Sequence, residues 1–229
     1  MESLLLLSHG MLAPPLCDVL RRYNPALIIV CAGDGEQLRN AFDTAGRFDR
    51  LIAFCTETIV PAAMLADLGG PAYNFHPAPP DYPGSHPASF AIYDGVTRFG
   101  ATAHEMVERV DSGPIVDVEW FDVESDIGVL RLEDKAGEAA ARLFWRLAPV
   151  LAQCSQKLPL GNLRWGPRKT TRKDFRAMGM VDPSISAAEF ELRWRAFGAR
   201  DPTIMQVALH GRRFALAVDD PPGPTAKPA

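Results

Sequence analysis

Ala26-Leu27-Ile28-Ile29-Val30-Cys31 is apolar from end to end, with no polar residue at alternate positions. A strand with one wet face would alternate, so this run belongs to a parallel strand covered by helices on both sides. Similar runs flank it, with strands expected near residues 3–8 (Leu4-Leu5-Leu6-Leu7), at 50–55 and at 72–75. Helical periodicity fills the gaps at 14–23, 35–44 and 61–67. Alternation of this kind predicts an α/β fold built on a doubly wound, mostly parallel sheet.

Further on, Ser85 to Asp94 reads as a helix, and residues 100–107 and 114–121 read as two strands flanking a loop at Asp111. From 129 to 151, Val129, Leu132, Ala136, Ala140, Leu143, Leu147 and Val150 recur at threes and fours, the stripe of a helix packed on the sheet. Composition changes after Pro159. A basic stretch, Arg168-Lys169-Thr170-Thr171-Arg172-Lys173, reads as a loop, followed by a helix around Ala187 to Phe197. Ile204 to Leu209 and Phe214 to Val218, joined at His210-Gly211, form a predicted hairpin. The expected division is a main domain at 1–155, a small appendage of loop, helix and hairpin at 156–218, and a proline-rich, disordered tail at 219–229.

With 229 residues and 47% hydrophobic content, the chain can bury one substantial core. A net charge of −4 supplies no global basic field for a nucleic-acid backbone, so no nucleic-acid partner is expected. Cys17, Cys31, Cys55 and Cys154 have no C-x-x-C spacing and mostly adjoin apolar runs, as reduced, buried thiols of a cytoplasmic protein would. The N-terminal Met1 to Ser8 lacks the basic flank of a signal peptide and reads as a first strand. No stretch approaches the ~18 apolar residues of a membrane span. Gly33-Asp34-Gly35 could suggest a dinucleotide loop, but a third glycine would fall at Leu38 and the segment follows the second strand, so that reading is rejected.

Two segments carry chemistry. Asn74-Phe75-His76-Pro77 leads into Tyr82-Pro83-Gly84, and Asp111-Ser112-Gly113-Pro114 follows 35 positions after His76. In an extended segment residues i and i+2 share a face, so Asn74 and His76 can converge on one carbon. The Asn74 amide cannot titrate and suits an oxyanion donor. An imidazole can relay a proton at neutral pH, and a carboxylate would favour its charged form or take a proton through water.

The two segments, in this order and spacing, resemble the folate-dependent formyltransferases, with the arrangement after residue 170 most similar to the sugar N-formyltransferases. That resemblance implies a Rossmann-like formyltransferase fold over the catalytic domain at 1–155 and transfer of a formyl group from N10-formyltetrahydrofolate, with no metal. The acceptor it implies is the amine of a nucleotide-linked amino sugar. Alternatives are another small amine, of the ribonucleotide or hydroxyornithine type, or a folate binder that does not transfer. By the same resemblance Asn74, His76 and Asp111 are the catalytic residues, and folate meets mainly backbone at Thr56, Glu57, Thr58 and Ile59 and at Val107 and Glu108. Glu57 departs from the usual family pattern. His104 matches a position where the family often has histidine, with a supporting or a functional role both open. On the acceptor side the expected residues are Ser8, His9 and Gly10 after the first strand, Tyr82, and Lys169 and Arg172 in the basic stretch. A homodimer is compatible with this reading.

Overall fold

The computed structural model describes residues 2–216. The predicted tail at 219–229 and the end of the last predicted strand lie outside that range. A six-stranded sheet has the order β2-β1-β3-β4-β5-β6, formed by β1 (Ser3–Leu7), β2 (Ile28–Ala32), β3 (Arg50–Phe54), β4 (Ala72–His76), β5 (Arg98–Glu105) and β6 (Ile115–Asp122). The first four strands are parallel, β5 runs antiparallel to β4, and β6 runs antiparallel to β5 to complete the sheet.

The unbroken leucines of β1 are explained by what covers each face. Leu4 and Leu6 pack with residues of α1 (Ala13–Tyr23) and α5 (Val129–Leu151), while Leu5 and Leu7 pack on the opposite side with Leu38 and Ala41 of α2 (Gly35–Ala45). Strand β2 differs from expectation. It is the sheet edge, so Ile28 and Cys31 are exposed despite their apolar run. Gly33-Asp34-Gly35 proves to be a helix start: Asp34 Oδ1 accepts the backbone N–H groups of Glu36 at 2.9 Å and Gln37 at 2.8 Å, as an N-cap does.

One charged side chain is wholly internal. Arg50 opens β3 with 0% exposure, and its Nη1 donates to the carbonyls of Val150 at 3.0 Å and Leu151 at 2.8 Å. Its Nη2 donates to Cys154 O at 3.2 Å and to Gln156 O. The guanidinium thus collects carbonyls from the last turn of α5 and from the segment that follows it, which ties that helix to the sheet.

The C-terminal region contains more order than expected. Thr171 caps α6 (Arg172–Gly179) in a reciprocal capping box with Asp174, so the last two residues of the predicted basic loop, Arg172 and Lys173, are helix. Then come β7 (Met180–Val181), α7 (Ala187–Arg193) continued by a π-helical turn at Trp194–Gly198, and the predicted hairpin as β8 (Gln206–Leu209) and β9 (Arg212–Ala215). These strands form a second sheet in the order β7-β8-β9. Val181, Ala196, Phe197 and Met205 share a cluster with Phe90 of α4 (Pro87–Tyr93) and Leu132 of α5, which holds this region against the main sheet.

Candidate active site

A cleft of about 860 Å³ opens at the carboxyl ends of the parallel strands, where ligands of open α/β sheets gather. Asn74 and His76, from one face of β4, lie on its floor together with Asp111 from the β5–β6 loop. One wall is the loop after β3, with Thr56, Glu57, Thr58 and Ile59, and another carries Val107 and Glu108. His9, Lys169 and Arg172 also line it.

Strained backbone is concentrated here. Cys55, His86 and Asp111 have φ of 46°, 54° and 47°, in the left-handed region that non-glycine residues avoid, and all three line the cleft. Two motif glycines are fixed by close approach. A Cβ on Gly84 would lie 2.1 Å from Thr170 O, and one on Gly113 would lie 2.0 Å from Glu105 O.

Asp111 is buried and serves as the hub. Its Oδ2 accepts the Gly84 N–H at 2.9 Å and stands 4.0 Å from His76 Nδ1, while Oδ1 stands 3.5 Å from His104 Nε2. Burial pushes its carboxyl pKa up, but the charge of His76, the hydrogen bond and charge of His104 and the Gly84 amide outweigh it. The carboxyl is held well below its usual range. His76 Nε2 is 3.1 Å from the Tyr82 carbonyl, which can only accept, so Nε2 carries a proton. In the neutral ring the free nitrogen is then Nδ1, the one beside Asp111. That nitrogen can take a proton and form an ion pair with the carboxylate.

His104 is the residue whose role the sequence left open. Its Nδ1 donates to Glu105 O at 2.8 Å, and its Nε2 lies 3.1 Å from Asn74 Nδ2. The β5–β6 pairing slips between Ala103 and His104, and such an irregularity re-aims the side chain, here toward Asn74 and Asp111. Trp165, which sequence reasoning missed as a site residue, packs edge-on against His104 at 4.9 Å and His76 at 6.1 Å, and its Nε1 donates to Gly113 O at 2.7 Å. No motif spacing announces it; the only signal is its place in the stiff Trp165-Gly166-Pro167 segment. His86, Glu133 and Arg200 also line the cleft without having been singled out. The ring of His86 stacks on Phe175 at 3.7 Å, and burial lowers its pKa.

Several expected acceptor residues are elsewhere. Ser8 is buried, does not line the cleft, and its hydroxyl donates to Phe54 O at 3.2 Å. Gly10 does not line the cleft, and α1 begins Ala13-Pro14-Pro15, whose prolines have no N–H to offer a phosphate. The side chain of Tyr82 also lies off the cleft: its hydroxyl donates to Asp94 at 2.9 Å and its ring packs 6.0 Å from Phe99, so it shapes the loop that supplies the carbonyl to His76. Lys169 and Arg172 do line the cleft, but both have partners. Lys169 donates to Val110 O, and Arg172 pairs with Glu57 at 2.7 Å.

Comparison with known proteins places this geometry in context. The formyl transferase family model matches residues 49–147, which include both motifs. A methionyl-tRNA formyltransferase of Geobacillus thermodenitrificans is 30% identical over 116 residues, 47% of this chain, and the chain spans 36% of that protein. Among solved structures, a sugar N-formyltransferase from a Shewanella species superposes with a TM-score of 0.75 at 14% identity, covering 95% of this chain and 97% of the other. An N-formyltransferase from Helicobacter canadensis, solved with folinic acid and dTDP-3-aminofucose, gives 0.64 at 14% identity and covers 92% of this chain and 85% of its own. The fold is the formyltransferase fold, and this likeness of fold extends over nearly the whole chain. Among the described residues no helix is long and apolar enough to cross a membrane.

The depressed pKa of Asp111 has a measurable consequence. Its unfolded carboxyl titrates near about 3.9 and its folded one lower, so the stabilisation is present above the unfolded value and is lost as pH falls through the folded one. The difference in unfolding free energy between the wild-type protein and Asp111→Asn, from urea titrations, should shrink as pH drops from about 5 to about 2. A difference that grows on acidification would contradict the ion-pair account.

Proposed function

We propose that this chain transfers a formyl group from N10-formyltetrahydrofolate to the amine of a nucleotide-linked amino sugar, as a cytoplasmic enzyme that needs no metal. The observation that carries the reading is the convergence of Asn74, His76 and Asp111 on the floor of one cleft. In this scheme the incoming amine attacks the formyl carbon, Asn74 donates to the developing oxyanion, and His76 Nδ1 accepts the amine proton; collapse of the tetrahedral carbon then breaks its bond to N10, and His76 returns the proton to N10 as tetrahydrofolate leaves. Asp111 stabilises the imidazolium and His104, paired with Asp111, lies beside the Asn74 amide. The donor pterin lies against Thr56, Glu57, Thr58, Ile59, Val107 and Glu108, and residues 156–218 close the acceptor side of the 1–155 catalytic domain. A homodimer fits this scheme, with the exposed β9 edge open to a second copy.

The acceptor assignment draws support from the dTDP-3-aminofucose bound to the Helicobacter relative. The net charge of −4 weighs against tRNA, the acceptor in the name of the Geobacillus relative. The test is to incubate the protein with N10-formyltetrahydrofolate and a panel of nucleotide-linked amino sugars, following tetrahydrofolate release and formylated product by mass spectrometry. Turnover of none of them, with folate binding intact in calorimetry, would direct attention to another small amine or to a non-transferring folate binder. Lys169 and Arg172 meet the acceptor's phosphates in this scheme. The double variant Lys169→Ala, Arg172→Ala should raise the acceptor KM about tenfold with kcat nearly unchanged, less so at high salt. An unchanged KM at low salt would make both side chains structural.

A further inference from the structure

Cys17 on α1 and Cys31 on β2 bring their sulfurs to 3.4 Å although fourteen residues separate them. A disulfide requires about 2.05 Å, so the sulfurs need to close by only roughly 1.3 Å. The pair is asymmetric: Cys17 is buried and Cys31 is exposed on the edge strand. The hydrogen bond from Cys17 lowers the Cys31 thiol to about 7 against the opposing effect of burial, and Arg21, one helical turn beyond Cys17, lowers it further. The same hydrogen bond, with burial, raises the Cys17 thiol well above its usual range; among nearby charges Cys31 raises it, Arg21 lowers it and Asp18 raises it. Burial pushes the other two thiols up, Cys55 to about 12 and Cys154 to about 11. Of the four cysteines, Cys31 therefore combines access to solvent, thiolate character at neutral pH and a second sulfur in contact.

We propose that Cys17 and Cys31 form a reversible dithiol–disulfide site, oxidised by a small disulfide such as glutathione disulfide, with Cys31 as the attacking and Cys17 as the resolving sulfur. The Cys31 thiolate attacks one sulfur of the oxidant, forming a mixed disulfide and expelling one glutathione thiolate. Cys17 then gives up its proton to water and attacks Cys31 Sγ, expelling the second glutathione. Two protein thiols are oxidised and one glutathione disulfide is reduced, so the electrons balance. The bond joins β2 to α1, the helix that follows the β1–α1 turn carrying His9. That turn is already fastened to β2 by the Ser8 N–H donating to Ala32 O at 2.9 Å.

The experiment is to treat the native full-length protein with glutathione disulfide at neutral pH and map its peptides without reduction. The expected product is a 17–31 cross-link with Cys55 and Cys154 unmodified, reversed by dithiothreitol, and forming at least about tenfold faster than any modification of those two thiols. Cys17→Ser should instead accumulate a glutathione adduct on Cys31, and Cys31→Ser should leave Cys17 unmodified. The proposal fails if the native protein gives no 17–31 cross-link, if a Cys31 adduct persists unresolved while Cys17 is present, or if the same cross-link forms as fast in urea.

Discussion

His76→Ala is expected to lower the formyl-transfer rate by about 10²- to 10⁴-fold, the range that a positioned general acid or base contributes. Little else should change. The ring is buried, but it lines the cleft floor and its one close hydrogen bond runs to the Tyr82 carbonyl at 3.1 Å, which water can satisfy once the ring is gone. Steady-state kinetics should therefore show the loss in kcat, with folate affinity in calorimetry close to wild type. His76→Asn sharpens the test, because its amide preserves polarity and some volume but cannot carry the proton. If either variant kept more than about a tenth of wild-type turnover, His76 would have no place in the proton transfer.

The largest stability effect should come from outside the site. Arg50→Met removes the four donations that gather the carbonyls of Val150, Leu151, Cys154 and Gln156 at the end of α5. Burial already lowers the pKa of this guanidinium, so removing the charge relieves some desolvation. Val150 O keeps the Gln153 N–H, but the carbonyls of the buried Leu151 and Cys154 lose this partner, and each orphaned group costs about 1–3 kcal/mol. We expect a net loss of about 3 kcal/mol, which for a chain of this size lowers Tm by roughly 6–12 °C. Arg50→Lys should rescue little, since one ammonium with three donors cannot span carbonyls that the planar guanidinium reaches from two nitrogens. A melting temperature within about 2 °C of wild type for Arg50→Met would show that α5 is held by its apolar face alone.

The sheet was legible because its physics is local. Leu4 to Leu7 and Ala26 to Cys31 announce parallel strands by lacking alternation, and the stripe from Val129 to Val150 announces α5 with its observed ends. The exposure of Cys31 was not legible, since a buried and an edge strand of a parallel sheet share one pattern and only strand order distinguishes them. Asn74, His76 and Asp111 could be singled out because the rigid residues beside them constrain the backbone. Trp165 could not, because its partners lie 61 and 89 positions away and a lone tryptophan reads as core. The partners of the basic stretch were hidden for a related reason. Charge on Lys169 and Arg172 is visible in sequence, but the Val110 carbonyl and the Glu57 carboxylate that engage it become neighbours only on folding. Helix α6 was signalled by Thr171-Arg172-Lys173-Asp174, a capping pattern hidden inside what looked like a basic loop.

Gly84 joins two parts of the molecule. Its N–H donates to Asp111 on the cleft floor, and its Cα lies so close to Thr170 that no side chain fits between them. Ser85, next to it, donates its N–H to Thr170 O. The segment that leads into α6 therefore buttresses the same few atoms that orient the carboxylate. Modularity is limited as a result: a C-terminal segment grafted from a relative to change the acceptor would also have to reproduce the Thr170 backbone to within a few tenths of an ångström, or the graft would shift the very carboxylate whose chemistry it was meant to preserve.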